Sequence, residues 1–237
     1  MLAYKSGWKA ALLLLGYLQI VLGLDLHGAV LYEQYDSQGL NIEVTGYVSD
    51  LATRGFDNRA RSACILGIWL LYSEPVYGYG SMYYAYNPST TNPYCFDLDS
   101  LAGLVSSVRY SGYYDLTVET FNLYEYYYYM GAEEFTTDDI PSLSLAGRHA
   151  SIIISGIGNW TVFEESNYNG PSLCLVPVTS ITLIGDISEM MGIRHGSLRS
   201  VRKGCDANPD VVVHLPAAPM SGSSGAFIPV SQLKNET

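Results

Sequence analysis

Tyr124-Glu125-Tyr126-Tyr127-Tyr128-Tyr129-Met130-Gly131 opens on an aromatic anchor, passes through a polar and aromatic turn and closes on glycine. The same phrase recurs as Tyr32-Glu33 to Gly39, Tyr72 to Gly80 and Phe163-Glu164 to Gly170. Each copy is answered downstream by a serine-led phrase ending in glycine: Ser62 to Gly67, Ser107 to Gly112, Ser151 to Gly156 and Ser200 to Gly204. Internal repetition on this scale sets the architecture before any single residue does. A unit of this size cannot bury its own core, so the units must associate. The repeat points to a scaffold or binder rather than an enzyme.

Within the unit from Gly28 to Gly67, Val30 and Tyr32, then Ile42 and Val44, alternate with polar neighbours in strand fashion, and helix signals are weak throughout. Gly39, Gly131 and Gly170 follow the turns, where a hairpin asks for a positive φ that glycine adopts at little cost. Many short strands with frequent turn signals predict an all-β sandwich. The units are not identical. Trp69 precedes Tyr72 and Trp160 precedes Phe163, whereas the first and third anchors have no such tryptophan. This A-B-A-B order, with anchors 40, 52 and 39 residues apart, divides the chain near Gly112, inside the longest gap.

The pattern aromatic-x4-aromatic-x-Gly resembles the Greek-key motif of the βγ-crystallin superfamily. Tyr124-x4-Tyr129-x-Gly131 and Phe163-x4-Tyr168-x-Gly170 match it in full. The first unit departs, with Ser37 at the second aromatic position, and the second places glycines on either side of Tyr79 instead of at it. Ser107-Val108-Arg109-Tyr110-Ser111-Gly112 and Ser200-Val201-Arg202 are similar to the family's closing strand. The resemblance covers about Gly28 to Cys205. It implies two β-sandwich domains, residues 24–112 and 113–205, each of two four-stranded Greek keys, with the closing serine tying down the folded hairpin.

The first 23 residues read as a signal peptide: Lys5 and Lys9 form a positive end, Ala10 to Leu22 an apolar stretch, and Gly23 a small residue before the cut. A membrane anchor is the competing reading, but the run is short for a span of about 20 residues. Cleavage leaves 214 of 237 residues and, with two lysines gone, moves the net charge from −11 to −13. Such a balance argues against nucleic acid and anionic membranes as partners. The mature chain is expected to be secreted, extracellular and without a transmembrane segment. Cys64, Cys95, Cys174 and Cys205 then favour disulfides. Two per domain makes Cys64–Cys95 and Cys174–Cys205 the simplest pairing of the three open ones.

Many members of the resembled family bind calcium through stretches reading Asn/Asp-Asn/Asp-x-x-Ser/Thr-Ser that share ligands crosswise. Here Asp57-Asn58-Arg59-Ala60-Arg61-Ser62 keeps the acidic end and carries Arg61 at the hydroxyl position. Ala102-Gly103-Leu104-Val105-Ser106-Ser107 keeps the hydroxyls and has lost the acids. The resemblance therefore implies one site in domain 1, from Asp57, Asn58, Ser106 and the carbonyl near Glu33, with a dead mirror site. Its affinity is expected in the weak range of extracellular modules, about 10⁻⁴ to 10⁻³ M. A turn shaped by Asp57 and Asn58 is the competing reading. The counterparts in domain 2, residues 146–151 and 195–200, offer no carboxylate and are expected to ignore calcium.

Tyrosine is abundant, 21 against six phenylalanines. Tyr126, Tyr127, Tyr128 and Tyr129 form either a contact surface for a protein, glycan or lipid, or packing at the domain interface. His27, His149, His195 and His214 lack ligand spacing and stand beside no nucleophile motif, and Asp138-Asp139 reads as a turn before Pro141. Asn159-Trp160-Thr161 is a glycosylation sequon at a strand start, and a second stands at Asn235. Residues 206–237 read as a flexible tail in which Val211 to Val213 could add an edge strand. The functional expectation is a secreted, non-enzymatic structural protein with one weak calcium site. The alternative is a secreted binding or effector protein, toxin-like, an inhibitor or a pore-complex subunit, using its tyrosines.

Overall fold

The computed structural model describes residues 27–89, 91–206, 209–215 and 224–229. The expected leader and the sequon at Asn235 lie outside them. In the first half, β1 (Gly28–Gln34), β2 (Gln38–Val44), β3 (Ser62–Tyr72), β4 (Met82–Asn87), β5 (Tyr94–Asp97) and β6 (Ser107–Tyr110) enclose one core. In the second, β7 (Thr120–Tyr124), β8 (Glu133–Thr136), β9 (Ser151–Ser155), β10 (Trp160–Phe163), β11 (Ser172–Val176), β12 (Ile181–Ile184) and β13 (Ser200–Lys203) enclose another, with the short helix α1 (Ile187–Met191) between β12 and β13. Two further strands follow, β14 (Val211–His214) and β15 (Ser224–Ile228). The fold is an all-β sandwich, with each domain holding one buried tryptophan, Trp69 or Trp160.

Crossed strands give the Greek keys. β5 leaves its own motif to pair with the first half of β3, and Val48 bridges in return to Val108 on β6. In the second half β12 pairs with β9 while Ile140 bridges to Val201 on β13. The third strand of the first and third units is thus a single bridge and not a full strand. Pro141 cannot donate to a ladder, and Asp50 caps a 3-10 turn over Leu51–Arg54, so both segments leave the sheet early.

All four closing serines hold a folded hairpin in the same way. The Oγ of Ser62, Ser107, Ser151 and Ser200 each donates at 2.6 Å to the carbonyl of Gln34, Glu74, Tyr126 and Glu165 respectively. Each also accepts an amide N–H, from Ser37, Tyr77, Tyr129 and Tyr168, at 2.9–3.0 Å. At the tips two successive residues take positive φ, as at Tyr128 (50°) and Tyr129 (65°), so the hydroxyl satisfies backbone groups that the folded turn has pulled from the ladder.

The 206–237 segment is not a free tail in its described parts. β14 joins β11 in parallel on domain 2, as the valine run suggested, and β15 adds antiparallel to β4 on domain 1. Both disulfides form as expected, Cys64–Cys95 across β3 and β5 and Cys174–Cys205 from β11 to the end of β13.

Candidate functional site

The crosswise meeting of the two stretches in domain 1 is present. The Asn58 N–H donates to the Val105 carbonyl at 3.0 Å, and the Gly103 N–H to the Ala60 carbonyl at 2.7 Å. Asp57 and Asn58 therefore lie against Val105 and Ser106. Ser106 is fixed through its backbone, its N–H donating to Tyr72 and its carbonyl accepting from Leu51, both at 2.8 Å. Asn58 sits at φ 56°, and its side chain donates to Asp57 Oδ2 at 2.9 Å. Asp57 Oδ1 is buried and has no hydrogen-bond partner among the described residues. Glu33 holds Arg59 through its carboxylate, at 2.7 and 3.1 Å, so any part it plays falls to its carbonyl. An orphaned carboxylate oxygen on a loop that meets the Val105–Ser106 segment is the kind of ligand a hard cation takes. At the mirror position the Arg61 guanidinium lies beside Gly103, so a resident side chain supplies the positive charge there.

Domain 2 offers no such opening. Gly147 (φ 85°) and Gly196 (φ 69°) bring the two loops into backbone contact, and a Cβ on Gly196 would lie 2.7 Å from the Gly147 carbonyl. Gly147 N–H donates to the Gly196 carbonyl at 3.1 Å, and Arg199 donates to the Gly196 and Leu198 carbonyls. These residues do not fit calcium. Across the described residues, no group of three or more His, Cys, Asp and Glu is placed to hold a metal.

The third feature lies between the domains. Ile65 to Tyr72 on β3 is an unbroken apolar run because this strand is buried on both faces. Trp69 and Leu71 enter the domain 1 core, while Ile68, Leu70 and Tyr72 pack with Met82 against Tyr124, Tyr129, Met130, Ile153 and Ile181 of domain 2. Arg109, 1% exposed, stands in this seam. Its Nε donates to Tyr72 Oη at 3.0 Å and its Nη2 to the Tyr129 carbonyl at 2.8 Å. Its guanidinium lies 4.4 Å from the Tyr77 ring centroid, 5.0 Å from that of Tyr124 and 5.3 Å from that of Tyr72. Glu133 accepts from Tyr124 Oη at 2.7 Å, from the Gly112 N–H at 3.2 Å and from Tyr47 Oη. Burial works against the Arg109 charge, but the Tyr72 oxygen and the Glu133 carboxylate outweigh it, and its pKa rises. Burial, reinforced by Glu133, pushes the Tyr124 phenol well up. Arg109 therefore stays charged and Tyr124 neutral across the physiological range.

Of the two readings of the Tyr126–Tyr129 run, contact surface or interface packing, the positions of most of its residues in this seam or in the domain 2 fold match packing. Tyr127 and Tyr129 are buried, and Tyr128 lies over Gly185 with its N–H donating to that carbonyl at 2.9 Å. Only Tyr126 is exposed, at 42%, edge-on to Tyr79 of domain 1. At the sequon, Asn159 is half-buried while Trp160 and Thr161 are buried in β10. Arg109 and Glu133 escaped notice in the sequence; the signal was the place of Arg109, two residues after a closing serine, where Arg202 also stands. Arg202 lies 4.1 Å from the Tyr168 ring centroid.

His27 is buried where β3 bends at Gly67 (φ 86°). Its Nδ1 accepts from the Ile68 N–H at 3.2 Å, and its ring stacks on Tyr110 at 4.6 Å. Burial pushes its pKa down to about 3 against the opposing effects of the Tyr113 backbone and Asp115. A shallow cleft of about 200 Å³ beside it is lined from both domains, by residues that include Tyr86, Asp115 and Ser180.

Residues 28–109 match the Beta/Gamma crystallin family model. A search of curated proteins finds no significant match. Among solved structures the chain is similar to geodin, a βγ-crystallin from Geodia cydonium, at 19% identity and a TM-score of 0.58, covering 75% of this chain and 99% of that one. It also matches a βγ-crystallin from an archaeon, at 24% identity and a TM-score of 0.32 over 36% of this chain and 98% of that one. Protein S complexed with calcium matches at 14% identity and a TM-score of 0.27, over 76% of this chain and all of that one.

Proposed function

Starting from a chain of βγ-crystallin fold, we propose that it is a secreted, non-enzymatic structural protein whose first domain binds one calcium ion weakly. The observation that carries the calcium reading is the buried, unpartnered Asp57 Oδ1 set against the Val105–Ser106 backbone. Asp57, the Asn58 and Glu33 carbonyls and the Ser106 hydroxyl would hold the ion, which would cross-link two loops and raise stability by binding the folded state alone. The structural reading rests on two disulfides and on a seam in which Arg109, Tyr72, Tyr124 and Tyr129 are buried and Tyr124 is held by the partly buried Glu133. Such groups consolidate a rigid body. Among the described residues Tyr35, Tyr47, Tyr79, Tyr114 and Tyr126 are exposed, and of these Tyr79 and Tyr126 stand edge-on to each other across the two domains, which supports a contact role less than the buried seam supports a structural one.

The test is thermal unfolding of the leaderless chain with and without millimolar calcium. Calcium should raise the Tm of the wild type and leave Asp57→Asn unmoved. Equal shifts in both, or a shift abolished by changes at Ser197 in domain 2, would sink the assignment.

A further inference from the structure

The two crossing loops of domain 2 are fastened by a histidine. His149 is 1% exposed, and both ring nitrogens are engaged. Nδ1 lies 3.1 Å from the Leu145 carbonyl, and Nε2 lies 3.1 Å from the Leu198 N–H. A carbonyl at Nδ1 requires a proton there, and an amide donor at Nε2 requires a lone pair, so the partners fix the neutral Nδ1–H tautomer. The His149 carbonyl also accepts the Gly196 N–H at 3.0 Å, so both ends of the residue grip the opposite loop.

Domain 1 shows what this replaces. There the crossing is symmetrical, with Asn58 to Val105 and Gly103 to Ala60, and neither alanine nor valine can titrate. In domain 2 only the bond from Gly196 to His149 survives in that form. The Gly147 N–H turns to Gly196, and the Leu198 carbonyl takes the Arg199 guanidinium. The imidazole stands in for the missing rung.

We propose that His149 is an acid-sensitive latch: neutral, it ties residues 146–151 to residues 195–200, and protonated, it releases them. A proton on Nε2 would face the Leu198 N–H, replacing an attraction with two opposed donors inside the protein. The charged groups around it are Arg199 and His195 on the opposite loop and Glu134 on β8. Glu134 is itself occupied by the Ser144 and Leu145 N–H groups at 2.9 and 2.8 Å. His195 is held by Asp186 at 2.9 Å and lies 3.1 Å from the Tyr127 hydroxyl. Burial is the main influence lowering the His149 pKa, opposed by the Leu145 carbonyl and Glu134 and assisted by Arg199 and His195. A lowered folded pKa means that the stabilisation is complete above the ordinary imidazole value of 6.5 and is lost as pH falls through the folded value.

The experiment is an NMR titration of the disulfide-intact chain, reading the His149 ring nitrogens and the exchange protection of the Leu198 and Asn58 amides. The ring should be the Nδ1–H tautomer at pH 7 and titrate below 6.5. Between its ordinary and folded pKa values, Leu198 protection, corrected for intrinsic exchange, should fall about tenfold per pH unit. Asn58 should stay protected over the same range, and His149→Asn should lose the step at Leu198. An Nε2–H tautomer, a pKa at or above 6.5, joint loss at Leu198 and Asn58, or a step that survives in H149N would each overturn the proposal. If H149N does not fold, the wild-type titration decides alone.

Discussion

Replacing Arg109 by methionine removes the cation from the domain seam while keeping an apolar side chain of similar length. Two bonds are lost, to Tyr72 Oη at 3.0 Å and to the Tyr129 carbonyl at 2.8 Å. Hydrogen bonds to a charged group contribute about 1.5–3 kcal/mol each. The desolvated contact with the tyrosine rings contributes about 2 kcal/mol more. Allowing for overlap among these contributions, the expected loss is about 4–6 kcal/mol, a large share of the ~5–15 kcal/mol that keeps a domain folded. Arg202 is the control. It occupies the same place in the fourth repeat and also lies over an aromatic pair, but it is about one-third exposed and pairs with Asp139 and Asp206 at the surface. Screening limits R202M to roughly 1 kcal/mol. Urea unfolding followed by fluorescence is well placed to read both changes, because Trp69 and Trp160 report on one core each. R109M should lower the midpoint far more than R202M and should separate the two tryptophan environments into successive transitions. Equal effects of R109M and R202M, or a loss under about 1 kcal/mol with a single transition retained, would refute the reasoning.

Two further outcomes follow from buried groups and covalent links. His27 is held neutral with a pKa near 3, so its contribution is complete above pH 6.5 and disappears as pH falls toward 3. The displacement corresponds to something on the order of 4 kcal/mol. Urea unfolding at pH 7, 5 and 4 should show a steeper loss for the wild type than for His27→Gln, and parallel lines would count against a buried neutral imidazole. Both disulfides have a sequence separation of 31. Chain entropy then assigns each about 3–4 kcal/mol. Paired Cys→Ser variants of either bridge should lose similar stability in urea, and a loss under about 1 kcal/mol from one of them would show that its loop is already constrained.

The repeat grammar was legible because it is local: an anchor, a turn and a serine whose hydroxyl reaches a hairpin about thirty residues back. The four serines and the disulfide partners follow from that grammar with no knowledge of how the domains meet. The seam was not legible in the same way. Ile68, Leu70 and Tyr72 look like core residues of one sheet, and only the packed second domain shows why the opposite face of β3 is apolar as well. Tyr127 to Tyr129 stayed open between contact surface and interface packing for the same reason. His149 was legible as a residue and not as a contact, since its partners at Leu145 and Leu198 lie on two separate loops. The strand at Ser224–Ile228 was missed because its small residues carry little periodicity, and its place is set by the open edge of β4.

That last strand has a consequence for how the chain is made. Ile228 lies opposite Met82, so the sheet of the N-terminal domain is closed by residues translated well over a hundred positions later. Until they arrive, β4 presents unpaired N–H and C=O groups to whatever is nearby, the condition under which strand edges capture wrong partners. The domain that emerges first is therefore the last to be finished. Domain 2, complete apart from its own added strand, has every opportunity to assemble before it.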